Sequence, residues 1–297
     1  MSERPYLHEA LLAALGVTLS AALLWVTGAS VVSFRVLGAT VLFILAVVVF
    51  AKLDGWAHVF RVRLLLAYVA TFFFYASVKE AVPALGLETW DAWLFGVDAR
   101  VFGGTTPAVW LQRWSAPWVS EVFSAAYLSF HGYLHLAMLW AVMGPREKAE
   151  GFFGQVFSAY VPGVVGYYLV PAVGPVAAYP ELFTVPIEGG WVTWLNARVV
   201  ANGSSTYDVF PSLHVFITLV LLGHDARANP RRFRWMVPVA VLLFLSTLVL
   251  RYHYAVDLLA GVVWFMGFRW LYPRLAVRWE SWRRGRVSSV AGPSTSP

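Results

Sequence analysis

Two short stretches carry the side chains that could do chemistry. One is Asp208-Val-Phe-Pro-Ser-Leu-His214 and the other is His253-Tyr-Ala-Val-Asp257. Each stands where a long apolar run begins, with one predicted helical hairpin between them. Ionisable side chains in such runs are costly, so two histidines and a carboxylate at matching depths point to a functional site. His253 and Asp257 have the i, i+4 spacing that puts both on one face of a helix. The carboxylate can then accept one ring N–H, fix the tautomer and leave the other nitrogen as nucleophile or base. His214 comes from a different helix and supplies a second proton-transfer group. Two histidines with different neighbours can hold different protonation states near neutral pH. The turn at Pro211-Ser212-Leu213 offers backbone N–H groups and a hydroxyl at a helix N-terminus, which suits an anion. Pro211 is expected in the first turn, where its missing N–H costs nothing, and Arg251 adds a fixed positive charge. Together these groups suggest phosphoryl transfer through a phosphohistidine, with no metal and no other cofactor. The competing account is a set of polar contacts between packed helices.

The elements that position these groups are membrane helices. The 297-residue chain is 59% hydrophobic and 13% charged, whereas soluble domains carry roughly 25% charged residues. The absence of cysteine excludes disulfides, thiolate zinc sites and a cysteine nucleophile. About 20 apolar residues cross the hydrocarbon. Eight stretches meet that need: 10–33, 36–52, 63–86, 121–143, 152–171, 209–224, 235–251 and 253–272. No cleavage site follows the first, so it is expected to be retained. Gly16, Gly38, Gly163 and Gly166 fall inside spans, where small residues let helices approach closely.

The expected fold is therefore all-α, a polytopic bundle of about eight transmembrane helices forming a single domain over 1–286. Spans 10–52 would be peripheral to a core of about 63–272, and 287–297 would be a disordered tail. Lys and Arg concentrate on one side, among them Lys52, Arg61, Arg63, Arg146, Arg231, Arg232, Arg274 and Arg278. By the positive-inside rule that side is cytoplasmic, with both termini, and both motifs face the periplasm or a lumen. The net charge of +6 is then topological and calls for no nucleic-acid partner. Segments 87–120 and 172–208 lie on the motif side. Trp90, Trp93, Trp110, Trp114 and Trp118 suit short helices in the interface, with Glu88, Asp91 and Asp98 as a solvated face.

At its two motifs the chain resembles the type 2 phosphatidic acid phosphatase (PAP2) superfamily. The nearest likeness is to the branch of the aureobasidin-sensitive inositol phosphorylceramide synthases, marked by Phe-Pro-Ser-Leu-His and His-Tyr-x-x-Asp. Those motifs stand here as Phe210–His214 and His253–Asp257, and the likeness extends to Leu94-Phe95-Gly96-Val97-Asp98 and Gly174-Pro175. It is loose over about 75–270 and close over 208–261. The resemblance implies that His253 is the phosphoryl-accepting nucleophile, Asp257 its orienter and His214 the acid for the leaving group, with Ser212 helping to bind phosphate. The superfamily's Lys-x6-Arg-Pro element is not present, and Ser246-Thr247 stands where most members have Ser-Arg. Arg251, Lys79 and Arg198 are the candidate replacements for the lost cations.

Each of these has a plainer alternative. Arg251 could be an interfacial snorkelling arginine, and Lys79 could pair with Glu80 at a helix end. Asp208 could cap a helix before it touches substrate. His131 and His135, again i, i+4, could line a headgroup pocket or bond between helices, and they lack the third ligand a metal site needs. His8, His58 and His224 are expected to be solvated.

The expected substrate is a membrane lipid phosphate, pyrophosphate or phosphodiester, which could contain inositol. Water as acceptor makes a phosphatase, and a lipid or other alcohol makes a phosphotransferase. A transporter using the histidines as a proton relay is the third possibility.

Overall fold

A computed structural model of the chain describes residues 4–285. Within these residues the chain is helical and forms no strand. In order, the helices are α1 (Leu7–Thr27), α2 (Val31–Lys52), α3 (Val59–Ala84), α4 (Asp91–Val101), α5 (Pro107–Leu111) and α6 (Pro117–Met143). There follow α7 (Arg146–Leu169), α8 (Pro175–Ala178), α9 (Trp191–Gly203), α10 (Leu213–Ala228), α11 (Pro230–Val249) and α12 (Ala255–Arg284). Short 3-10 turns occupy Gln112–Trp114 and Pro180–Leu182. The expected tail, 287–297, lies outside the described residues.

Each of the eight apolar stretches coincides with one long helix, though the ends shift. The break between the first two falls at Gly28, which has φ +62°, and Ser30 then caps α2 by accepting the Ser33 N–H at 3.1 Å. The fifth helix starts at Arg146, six residues before its apolar run, because a charged first turn is helical without being apolar. Of the eight, α1, α2, α3, α11 and α12 are long and apolar enough to cross a membrane. The other three, α6, α7 and α10, pack on one another, and α10 is buried along most of its length. At 16 residues, α10 is also the shortest of the eight.

At the end of the bundle away from the motifs, α1, the α2–α3 turn, α7 and α12 meet in a buried ionic cluster. Arg63 contacts Glu9 at 2.5 Å and Asp54 at 3.2 Å, and Arg146 reaches Asp54 at 2.5 Å. Arg63 is therefore buried rather than a free loop charge. The Trp279 indole N–H donates to the Pro5 carbonyl at 3.0 Å, so both ends of the described chain lie together. His8 corrects an expectation: it is buried and stacks on Tyr6 with ring centroids 5.4 Å apart.

Close packing carries the motif loops. A Cβ on Gly163 would lie 2.3 Å from Leu213 Cδ2, and one on Gly166 would lie 2.3 Å from Pro211 Cδ. On the other side, a Cβ on Gly261 of α12 would lie 2.8 Å from the Ser212 carbonyl oxygen. The Phe210–Leu213 backbone is thus held between α7 and α12 at positions without side chains. Gly38, by contrast, faces open space and permits no close approach.

Candidate active site

Helix α10 begins one residue after Ser212, whose hydroxyl accepts the Val215 N–H at 3.4 Å. Pro211 therefore precedes the cap instead of occupying the first turn, while His214 does lie in that turn. Asp208 caps nothing in α10. Its carboxylate accepts from the Ser204 hydroxyl at 2.9 Å, the Ser205 N–H at 3.1 Å and the Tyr75 hydroxyl, and so shapes the turn after α9.

His253 is also differently placed from the helical expectation. It lies two residues before α12, in the short segment joining α11 to α12. Arg251 makes the turn with φ +70°, in the left-handed region that few non-glycine residues adopt. The Thr247 carbonyl then accepts both the Tyr252 and His253 N–H groups, at 2.9 and 3.1 Å. Asp257, in the first turn of α12, turns back towards the preceding segment. Its Oδ2 accepts the Tyr254 N–H at 2.9 Å and lies 3.5 Å from His253 Nδ1. At that distance the contact is longer than an ordinary hydrogen bond, and both side chains are buried. With Nδ1 turned to the carboxylate, Nε2 is the nitrogen left for chemistry.

The two motifs meet directly. The Ser212 N–H donates to the Asp257 carbonyl at 3.1 Å, and the rings of His214 and His253 lie 5.6 Å apart at 76°. Tyr127 and Phe130 of α6 pack on His214 with centroids at 4.6 and 4.7 Å. Tyr252 packs on Tyr127 at 5.0 Å, and its hydroxyl accepts a hydrogen bond from the Asn196 amide at 3.1 Å.

Sequence reasoning missed the groups that hold this pair from outside. Asp91 and Asp98 of α4 are buried rather than a solvated face. Asp98 accepts the Ala255 and Val256 N–H groups at 2.8 and 3.0 Å, satisfying orphan donors at the start of α12. Asp91 accepts the Val173 and Gly174 N–H groups and the Tyr254 hydroxyl, at 3.1, 2.9 and 3.0 Å. Gly174 has φ +88°, and a Cβ there would lie 2.5 Å from the Tyr252 carbonyl oxygen. The i, i+7 spacing of the two aspartates was the available signal, since it places both on one face of α4.

The rings of His214 and His253 line a cavity of about 350 Å³ between α3, α6, α7 and α9. Its walls combine tyrosine and phenylalanine rings with aliphatic side chains, and Lys79, His131, Asp208, Ser204 and Thr206 add polar groups. The other sequence candidates stand apart from it. Ser212 is fully buried beneath the loop. Arg251 turns towards the loops, donating to the Val185 carbonyl at 2.6 Å and lying 5.1 Å from the Phe183 ring. Arg198 is exposed beside Trp194. His135 is exposed and hydrogen-bonds to the His131 carbonyl at 2.8 Å and the Tyr68 hydroxyl at 3.2 Å. Lys79 does not pair with Glu80, whose partner is Arg35 of α2. Among the described residues no group of three or more His, Asp or Glu side chains is arranged to hold a metal ion.

The sequence matches a family model described as the PAP2 superfamily over residues 92–271. It is also similar to a PA-phosphatase related-family protein of Dictyostelium discoideum, 22% identical over 225 residues. That alignment covers 64% of this chain and 41% of the relative, so the chain spans about two-fifths of the length of the protein it matches. No solved structure matches the chain.

Proposed function

The chain belongs to the PAP2 superfamily, and from that premise we propose that it is a membrane lipid phosphatase or phosphotransferase working through a phosphohistidine. The observation that carries this is the juxtaposition of His253, backed by Asp257, with His214 in one aromatic cavity. His253 Nε2 attacks phosphorus while Asp257 stabilises the cation that forms on the ring. His214 gives its proton to the leaving oxygen, then takes one from the acceptor that releases the phosphoryl group. Lys79 faces the phosphate, and His131 lines the same cavity. The rate comes mainly from positioning and electrostatic stabilisation, and the chemistry needs no metal.

All eight long helices cross the membrane in this account, with the motif end facing the periplasm or a lumen and the basic end in the cytoplasm. A bacterial inner membrane fits the periplasmic case. Helices α4, α5 and α9 lie in the outer interface. The tryptophans in and beside them, Trp90, Trp93, Trp110, Trp114, Trp191 and Trp194, are all substantially exposed, as headgroup-level side chains would be.

Transfer to an alcohol, as in an inositol phosphorylceramide synthase-like enzyme, is the second possibility. It is favoured by the apolar side chains of the cavity wall, which suit a lipid acceptor, and by the Phe210–His214 motif with Leu213. The deciding experiment is phosphorus product analysis of purified protein with EDTA present, beside His253→Ala. Candidate substrates are phosphatidate, polyprenyl phosphate and pyrophosphate, and phosphatidylinositol with a diacylglycerol or ceramide acceptor. Free phosphate from the wild type alone identifies a phosphatase, and a new phospholipid without free phosphate identifies a transferase. Equal activity in the variant overturns the assignment of the nucleophile. Proton-coupled uptake with no phosphorus chemistry would make the protein a transporter.

A further inference from the structure

We propose that the cavity beside His214 and His253 recognises a cationic headgroup, the ammonium end of a zwitterionic phospholipid, with Asp208 and the surrounding tyrosine rings. This rests on the reading of the cavity as a phosphoryl-transfer site and narrows its substrate to amine-bearing phosphodiesters.

Asp208 carries the argument. It is half-buried in the cavity wall, and its three donors, the Tyr75 hydroxyl, the Ser204 hydroxyl and the Ser205 N–H, are all neutral. Among the described residues no Lys, Arg or His nitrogen lies within 4.0 Å of its carboxylate. A carboxylate removed from water is costly unless a cation meets it. Here the cavity is the place from which one can come.

The walls match that charge. Tyr75, Tyr127, Tyr167, Tyr252, Phe72 and Phe130 all line the cavity, with Tyr75 and Tyr167 at 6.2 Å and Tyr127 and Tyr252 at 5.0 Å between centroids. Aromatic faces around a cation are the usual means of binding ammonium and quaternary ammonium groups. Lys79 follows Tyr75 by one turn of α3 and is exposed, free to meet a phosphate oxygen from the rim. One lysine, one carboxylate and the histidines suit a headgroup with both signs of charge. A dianionic lipid phosphate would bring two negative charges towards a carboxylate that no protein cation pairs.

Soluble probes test recognition without turnover. His253→Ala protein in detergent is titrated calorimetrically with phosphocholine, phosphoethanolamine, glycerol 3-phosphate and inorganic phosphate. The amine-bearing probes should bind about tenfold more tightly than glycerol 3-phosphate, the scale of one cation–aromatic or screened charge contact. Asp208→Asn, which keeps the acceptor oxygen and removes the charge, should abolish that preference. Stronger binding of phosphocholine assigns the larger share to the rings, and stronger binding of phosphoethanolamine assigns it to the carboxylate. The thermal unfolding midpoint of Asp208→Asn, measured beside the protein with Asp208 intact, separates loss of recognition from loss of fold. If Asp208→Asn proves unstable, the ranking of probes by the protein with Asp208 intact decides the matter.

Equal or tighter binding of glycerol 3-phosphate, or no binding of any probe, overturns the proposal. So does an undiminished preference in a folded Asp208→Asn protein. Turnover by protein with His253 intact separates this proposal from the reading beneath it. Phosphatidate consumed with no ammonium preference overturns only the headgroup assignment. Asp208-dependent ammonium binding with no phosphorus chemistry overturns only the enzymatic reading.

Discussion

The backbone N–H of Ser212 donates to the backbone carbonyl of Asp257 at 3.1 Å. This one bond joins the loop that delivers His214 to the turn that holds His253, although the two residues come from different helical hairpins. Because it is a backbone bond, side-chain variation does not remove it directly. The packing that brings the two loops together is therefore the sensitive feature.

Gly166 is, with Gly163, where that packing is tightest. A methyl group there would meet Pro211 Cδ at 2.3 Å, so Gly166→Ala should destabilise the protein by about 1–3 kcal/mol, the usual range for overpacking. Thermal unfolding in detergent checks this, and phosphoryl transfer should fall with it. Gly38→Ala, in open space, should leave the midpoint unchanged or raise it slightly.

Asp98 tests whether α4 supports the site at a distance. Its carboxylate accepts from Ala255, Val256 and the Thr106 hydroxyl. Asp98→Ala should cost roughly 2–4 kcal/mol, since several buried donors lose their acceptor. Unfolding and substrate kinetics on the same preparation should show a lowered midpoint together with a lowered kcat.

Asp257→Asn separates orientation from folding. The amide keeps the volume and can still accept the Tyr254 N–H, but it loses the charge that opposes the His253 cation. The rate should drop about a thousandfold to ten-thousandfold, as when the orienting carboxylate of a triad is neutralised. The thermal midpoint should change little by comparison.

Lys79 and Arg251 should behave differently although both are cations near the site. Lys79 lines the cavity, so Lys79→Gln should raise KM about tenfold, the worth of one charge-assisted contact to phosphate. Arg251 donates to the Val185 carbonyl, so Arg251→Gln should lower the thermal midpoint and leave KM near its starting value. Steady-state kinetics and unfolding of the two variants make the comparison.

The eight long helices and the two motifs were readable from the sequence, because apolar length and the cost of intramembrane charge are local properties. The position of His253 was not. The spacing to Asp257 implies a helical pair, but the helix starts at Ala255 and the contact is made across its cap. Asp91 and Asp98 looked like surface residues because their partners, Val173, Gly174, Tyr254, Ala255 and Val256, are distant in sequence. For the same reason Arg251 looked like a site cation, while its side chain is committed to a loop carbonyl. The tyrosines around the cavity come from α3, α6, α7 and the α11–α12 junction, and no single stretch of sequence displays them together.

The most direct test of the mechanism is to trap the covalent intermediate. Protein is mixed with a radiophosphorus-labelled form of whichever lipid the product analysis shows to be consumed, then quenched within one turnover under alkaline denaturing conditions. The account predicts an alkali-stable, acid-labile label that maps to His253 and is absent from His253→Ala. Continued turnover with no label on His253, or a label that persists in the variant, would contradict it.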